Sequence, residues 1–251
     1  MSGDRQNLLE VEDLSKSFGG LRAVDRLSFT VDEGEILGLL GPNGSGKTTV
    51  FNLIAGSLRT DHGRVRFSGR DITRDPPSFR TRLGIARTFQ LVRPLPNLTA
   101  LDNVLVARLY GRGRSTTLRE ARDESLDLLY LIGLAQKSGM PATALTLAER
   151  KRLEIARALA TRPQLLLLDE PLGGLTTTEV SAALDLFRRI RTDGITLVIV
   201  EHNVHAVRSL CDRVVVLNSG RLIAEGQPAN VLSRPEVVEV YVGKASRAAI
   251  Q

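Results

Sequence analysis

Eight consecutive residues, Gly41-Pro42-Asn43-Gly44-Ser45-Gly46-Lys47-Thr48, carry the densest chemistry in the chain. Gly41, Gly44 and Gly46 allow a tight turn that aims several backbone N–H groups at one point, as a phosphate cradle requires. Lys47 supplies a cation for β- and γ-phosphates, and the Thr48 hydroxyl is suited to Mg2+. A strand is predicted over 35–40. From Lys47 onward, Thr48-Thr49-Val50 and the residues after them read as a helix, with Val50, Leu53 and Ile54 on one side. The loop therefore opens a helix whose positive end faces the bound anion. A chance glycine-rich turn would lack this strand–loop–helix setting, and nucleoside triphosphate binding is the expectation.

Phosphate chemistry with a metal needs a second carboxylate site. Leu165-Leu166-Leu167-Leu168-Asp169-Glu170 supplies it: four apolar residues bury a parallel-type strand, and Asp169 emerges at its carboxyl end. Glu170 is expected on the opposite side of the pleat, where a carboxylate can polarise an attacking water.

The surrounding elements are predicted to position these groups. Strands are expected over 8–15, 27–33, 35–41 and 64–69, with Gly34 in a turn. Residues 91–160 change character: Thr99 is a candidate N-cap, 111–116 an exposed loop, and 118–134 an amphipathic helix ending near Gly133. After this helical insertion, strand and helix alternate again, with a helix over 178–191, a strand over 195–202, a helix over 203–211 and a hairpin turning at Asn218–Gly220. The alternation implies an α/β protein with a parallel sheet covered on both faces.

Composition narrows the partners. The 251 residues carry a net charge of +6, and 29 of the 34 basic residues are Arg. No basic block reaches five residues, aromatics are 4% and Trp is absent, so nucleic acid is disfavoured as a partner. No apolar run approaches a membrane-spanning length, and the residues at the start lack a signal-type apolar core, so a cytosolic chain is expected. The single cysteine, Cys211, reads as a buried small hydrophobe.

Taken in order, Gly41–Thr49, Gln90 in Ala-Arg-Thr-Phe-Gln, Leu165–Pro171 and His202 in Val-Ile-Val-Glu-His resemble the ATPase of ABC transporters over almost the whole chain. The resemblance implies a P-loop NTPase fold of ABC type: a RecA-like core with an antiparallel β subdomain (1–90 and 161–251) and an inserted α-helical lobe (91–160). It implies ATP and Mg2+ as cofactors. It assigns Phe18, 29 residues before Lys47, to stacking on adenine, and Gln90 to Mg2+ and the attacking water. Asp169 becomes the metal acid, Glu170 the general base and His202 the contact to the γ-phosphate. Within the family, Ala86–Ala107, Lys151–Pro171 and Arg221–Gly243 are similar to the importers of branched-chain amino acids. Related ATPases serve importers of urea and short amides, and exporters of lipid or lipopolysaccharide share the catalytic motifs. A second ATPase subunit, two permease subunits at the cytoplasmic face of the membrane and a substrate-binding protein are the implied partners. Nucleic-acid-directed members need inserts or a second cassette that this chain lacks.

The chain departs from the family where it would face a partner's ATP. Leu145, Thr146, Leu147, Ala148 and Glu149 stand in place of the usual Leu-Ser-Gly-Gly-Gln. Thr146 keeps a hydroxyl and Leu147 and Ala148 keep their N–H groups, but side chains replace hydrogen where glycine permits close approach. Glu149 is expected to bring a negative charge near phosphate, offset by Arg150 and Lys151. Thr176 stands where Asp or Asn is usual in the loop that signals across the dimer.

Overall fold

The computed structural model describes residues 7–89, 94–113 and 117–248. In chain order, β1 (Asn7–Phe18), β2 (Leu21–Asp32) and β3 (Ile36–Leu40) precede α1 (Lys47–Ile54). Next come β4 (His62–Phe67), β5 (Arg70–Asp71), α2 (Pro77–Leu83) and β6 (Ile85–Arg87). Three helices follow, α3 (Ala100–Tyr110), α4 (Leu118–Leu131) and α5 (Leu147–Ala160), before β7 (Leu165–Asp169) and α6 (Thr177–Thr192). The chain continues through β8 (Thr196–Val200), α7 (Val204–Leu210), β9 (Arg213–Asn218), β10 (Arg221–Gly226), α8 (Pro228–Val231) and α9 (Pro235–Ala248). These elements form two compact units, Met1–Pro76 with Thr196–Gln251, and Pro77–Ile195.

The first unit holds an antiparallel sheet in the order β2-β1-β4-β5. It also holds β3, which pairs in parallel with β8 on one side and β9 on the other. All five residues of β3 and of β8 are buried, and Thr196 at the start of β8 is satisfied by accepting from the Gly34 N–H at 2.9 Å. The β1–β2 hairpin is longer than its alternation indicates, because Phe18 pairs with Leu21 across Gly19-Gly20. Leu21 and Arg22 are exposed, so the hydrophobic pattern fades while the main-chain ladder continues. The β9–β10 turn lies where expected, with Ser219 and Gly220 both at positive φ (48° and 80°), the mirror-image geometry that suits strand twist. Cys211 is buried, and desolvation pushes its thiol up to about 12.

In the second unit β6 runs parallel to β7. The three residues of β6 are too few to show a period. Helices α3, α4 and α5 enclose a core that includes Leu101, Val104, Leu129, Ile132, Leu145 and Leu153. Thr99 caps α3 by accepting from the Asp102 N–H, and α4 ends just before Gly133 at φ 69°, both as predicted. Buried Asn103 ties the chain before α3 in place, accepting from the Leu95 N–H at 2.8 Å and donating to the Thr99 carbonyl at 2.9 Å. Among the described residues, no helix is long and apolar enough to cross a membrane.

The expected loop over 111–116 is exposed only in part among its described residues. Gly111 is buried, a β-carbon there would lie 2.5 Å from Thr161 Cα, and the Arg112 N–H donates to the Thr161 carbonyl at 2.9 Å. The glycine is thus a close backbone crossing and not a flexible link. Gly111→Ala should lower the unfolding free energy in urea by about 1–3 kcal/mol. Gly139→Ala, where the added carbon meets nothing within 4 Å, should stay within about 0.5 kcal/mol.

Candidate functional site

The glycine-rich loop leaves the carboxyl end of β3 and is shaped by contacts its residue types make necessary. Gly41 has φ 145°, and a β-carbon on it would overlap the Leu217 carbonyl oxygen and Ser45 Oγ. Gly46 has φ 104°, and a β-carbon there would overlap the Ala23 carbonyl oxygen. Gly46 is also the N-cap of α1 and offers no side-chain acceptor, so the helix starts with its N–H groups available to a ligand. The Ser45 N–H donates to Pro42 at 3.1 Å, closing the turn. Lys47 is 6% exposed, and its ammonium donates to the carbonyls of Gly41 at 2.7 Å and Pro42 at 3.0 Å. Ser45 Oγ is buried with no hydrogen-bond partner. Asn43 and Thr48 are exposed and Thr49 is half-buried.

The same unit brings His202 and Phe18 into definite settings. Val200 lies opposite Leu39 in the parallel pairing of β8 with β3, so both strands end on the same side. His202 follows buried Glu201 in the short link to α7 and is exposed at that end. Phe18 is 46% exposed at the end of β1, with the Lys16 ammonium 5.7 Å from its ring centroid. Its ring is therefore open to stacking rather than spent in the core.

In the second unit, β7 delivers Asp169 at 2% exposure. Its Oδ2 accepts from Arg87 Nη2 at 2.8 Å, whereas Oδ1 is buried with no hydrogen-bond partner. An orphaned carboxylate oxygen is the donor type a hard divalent cation takes. No cluster of three or more His, Cys, Asp or Glu exists among the described residues, so a cation there would depend on hydroxyl, water and phosphate oxygens, which suits Mg2+. Glu170 departs from expectation: β7 ends at Asp169, and Glu170 leaves the pleat in a left-handed conformation, φ 49°. Its carbonyl accepts from the Gly173 N–H at 3.3 Å and from the Lys151 ammonium at 3.0 Å. Gln90 lies outside the described residues. The residue before it, Phe89, donates its N–H to Glu154 Oε1 on α5 at 2.8 Å, and burial pushes the Glu154 carboxyl upward.

The altered segment 145–149 is a helix start. Leu145 sits in the helical core, 2% exposed, so its role is packing. Thr146 caps α5 through a reciprocal box: its side chain accepts from the Glu149 N–H, and Glu149 accepts from the Thr146 N–H at 3.0 Å. Glu149 also pairs with Lys137 at 2.6 Å, which holds its carboxyl below the usual range. The offset expected from Arg150 and Lys151 thus comes from Lys137, and Lys151 is turned toward Glu170. Leu147 is 48% exposed and Ala148 follows it in the first turn. Thr176 caps α6 by the same kind of box with Glu179.

Arg87, Glu154 and Tyr241 were not singled out by sequence, and Lys151 was named only as a charge beside Glu149. The Tyr241 hydroxyl is hydrogen-bonded by the Gly41 backbone, and burial pushes its pKa upward. Each reaches its partner across a long sequence separation, and periodicity registers them only as charged or aromatic positions on ordinary elements.

The ABC transporter family matches residues 24–173. A probable branched-chain amino acid transport ATP-binding protein, LivG, of Archaeoglobus fulgidus is 37% identical over 245 residues, covering 94% of this chain and 95% of that protein. The ADP conformation of an ATP-binding cassette of an ABC transporter matches with a TM-score of 0.87 at 33% identity, covering 95% of this chain and 99% of that one. A dimeric ATP-binding cassette in a post-hydrolysis state, bound to ADP and Pi, matches with a TM-score of 0.80 at 26% identity, over 88% and 98% of the two chains. An orphaned metal-type carboxylate, a glycine-built phosphate loop and these likenesses converge: the chain belongs to the ABC transporter family, as an ATP-binding and ATP-hydrolysing subunit.

Proposed function

We propose that the chain powers an importer of branched-chain amino acids or closely related small solutes. The observation that carries the ATP-driven part is the loop over 41–48, with buried Lys47 folded onto two of the loop's own carbonyls. The named activity of the LivG relative supports the substrate class. Residues 91–160 act as the helical lobe, and 1–90 with 161–251 as the catalytic core.

In this reading the N–H groups of 41–49 hold the phosphates and Phe18 stacks on adenine. Lys47 exchanges its carbonyl partners for β- and γ-phosphate oxygens, a change that costs little reorganisation because its charge is already buried at the loop. Thr48, Gln90 and Asp169 supply the oxygens suited to Mg2+, which when bound neutralises phosphate charge. Glu170 accepts the proton of the attacking water and His202 contacts the γ-phosphate. Thr146, Leu147 and Ala148 serve a partner's nucleotide through the capped start of α5, whose N–H groups remain the donors. The dimeric relative supports pairing with a second ATPase, and two permeases would hold the pair at the cytoplasmic face of the membrane.

Glu170→Gln should bind ATP within about threefold of the parent and lose at least about 100-fold in turnover. Turnover within tenfold would remove Glu170 from this role. The combined change Thr146→Ser, Leu147→Gly, Ala148→Gly and Glu149→Gln should leave turnover of the reconstituted complex within about twofold, because the box that starts α5 is kept in either form. Thr146→Ala, which deletes the cap, should cost about 1 kcal/mol in unfolding stability and reduce turnover.

A further inference from the structure

Glu170 adopts a conformation that β-carbon-bearing residues avoid, φ 49°. Such a conformation is strained and persists only where neighbouring contacts over-determine it. Two donors converge on its carbonyl oxygen. One is the Gly173 N–H at 3.3 Å, which closes the turn from within. The other is the Lys151 ammonium at 3.0 Å, which also donates to the Pro171 carbonyl at 3.3 Å. A charged donor makes the stronger bond, and this one comes from outside the turn.

Lys151 lies one turn into α5, the helix capped by Thr146 and Glu149. The helix is anchored again three residues later, where Glu154 accepts from the Phe89 N–H at 2.8 Å. The direction of a Cα–Cβ bond follows from the backbone dihedrals, so whatever fixes the Glu170 main chain sets the direction from which its side chain sets out. We propose that Lys151 is a positioning residue for Glu170: it holds the main chain of the base in its left-handed turn and makes its aim depend on where the α5 helix stands. This rests on the reading of Glu170 as general base. Its consequence is that one helix serves both halves of the chain's work, presenting its N-terminus to a partner's nucleotide and setting the carboxylate for the chain's own.

The test compares Lys151→Met, Lys151→Arg and Glu170→Gln in the reconstituted transporter. Lys151→Met should lower kcat about tenfold or more, with KM for ATP and nucleotide affinity within twofold, and Lys151→Arg should restore at least half of the loss. Hydrogen exchange at the Gly173 amide should quicken about tenfold in the Met variant, since the turn it closes loses its outside support. A kcat within twofold for Lys151→Met, where Glu170→Gln abolishes turnover, would overturn the positioning role. So would a rise in KM with kcat kept, which would place Lys151 in binding. If Glu170→Gln itself turns over, the reading of the base fails, whatever the Lys151 variants do. Lys151→Gln, which keeps a donor on a shorter stem without charge, carries the same comparisons should the Met variant fail to fold.

Discussion

Short strands buried on both faces can offer chemistry only at their ends. β3, β7 and β8 are each five residues long and wholly buried, and the polar side chains they carry stand only at their ends, Thr196 opening β8 and Asp169 closing β7. Every group with chemistry follows a last strand residue or is one: the loop after Leu40, Asp169 closing β7, and the histidine two residues beyond Val200. The hydrophobic effect fixes this arrangement before any catalytic requirement is added. It also explains why the loop glycines are constrained so tightly, since a chain leaving a buried strand must turn past neighbouring backbone.

Burial of charge is the second constraint, and it is met by pairing. Asp169 and Arg87 are both nearly enclosed and joined at 2.8 Å, each reducing the cost of desolvating the other. The pairing uses one carboxylate oxygen and leaves the second without a hydrogen-bond partner, so the acid is held in orientation through a single oxygen. Arg87 also lies against the Phe89 ring, 5.2 Å from its centroid. The strand end that carries Asp169 is thereby tied to the segment around Phe89.

Much of this was legible in the sequence, and the reasons differ by element. The phosphate loop and the buried β7 strand were legible because glycine spacing and an unbroken apolar run report local geometry. The caps at Thr99 and near Gly133 were legible because capping is a local exchange between a side chain and the next turn. The β1–β2 hairpin was underestimated because its tip is solvent-exposed on both faces and shows no alternation. The left-handed turn at Glu170 was missed because nothing in Asp-Glu-Pro signals positive φ, and the ammonium that meets its carbonyl belongs to Lys151, 19 residues earlier. Likewise the charge of Glu149 looked exposed to phosphate, since its partner Lys137 stands 12 residues upstream and off the helix.

The box formed by Thr146 and Glu149 separates two duties within one short stretch. Its first and fourth residues start the helix through their side chains, and the two between take no side-chain part in the box. Positions 147 and 148 are therefore not needed for the cap. In the proposed pairing, the start of this helix is kept while the two residues nearest a second subunit vary, so the helix forms without glycine at either position.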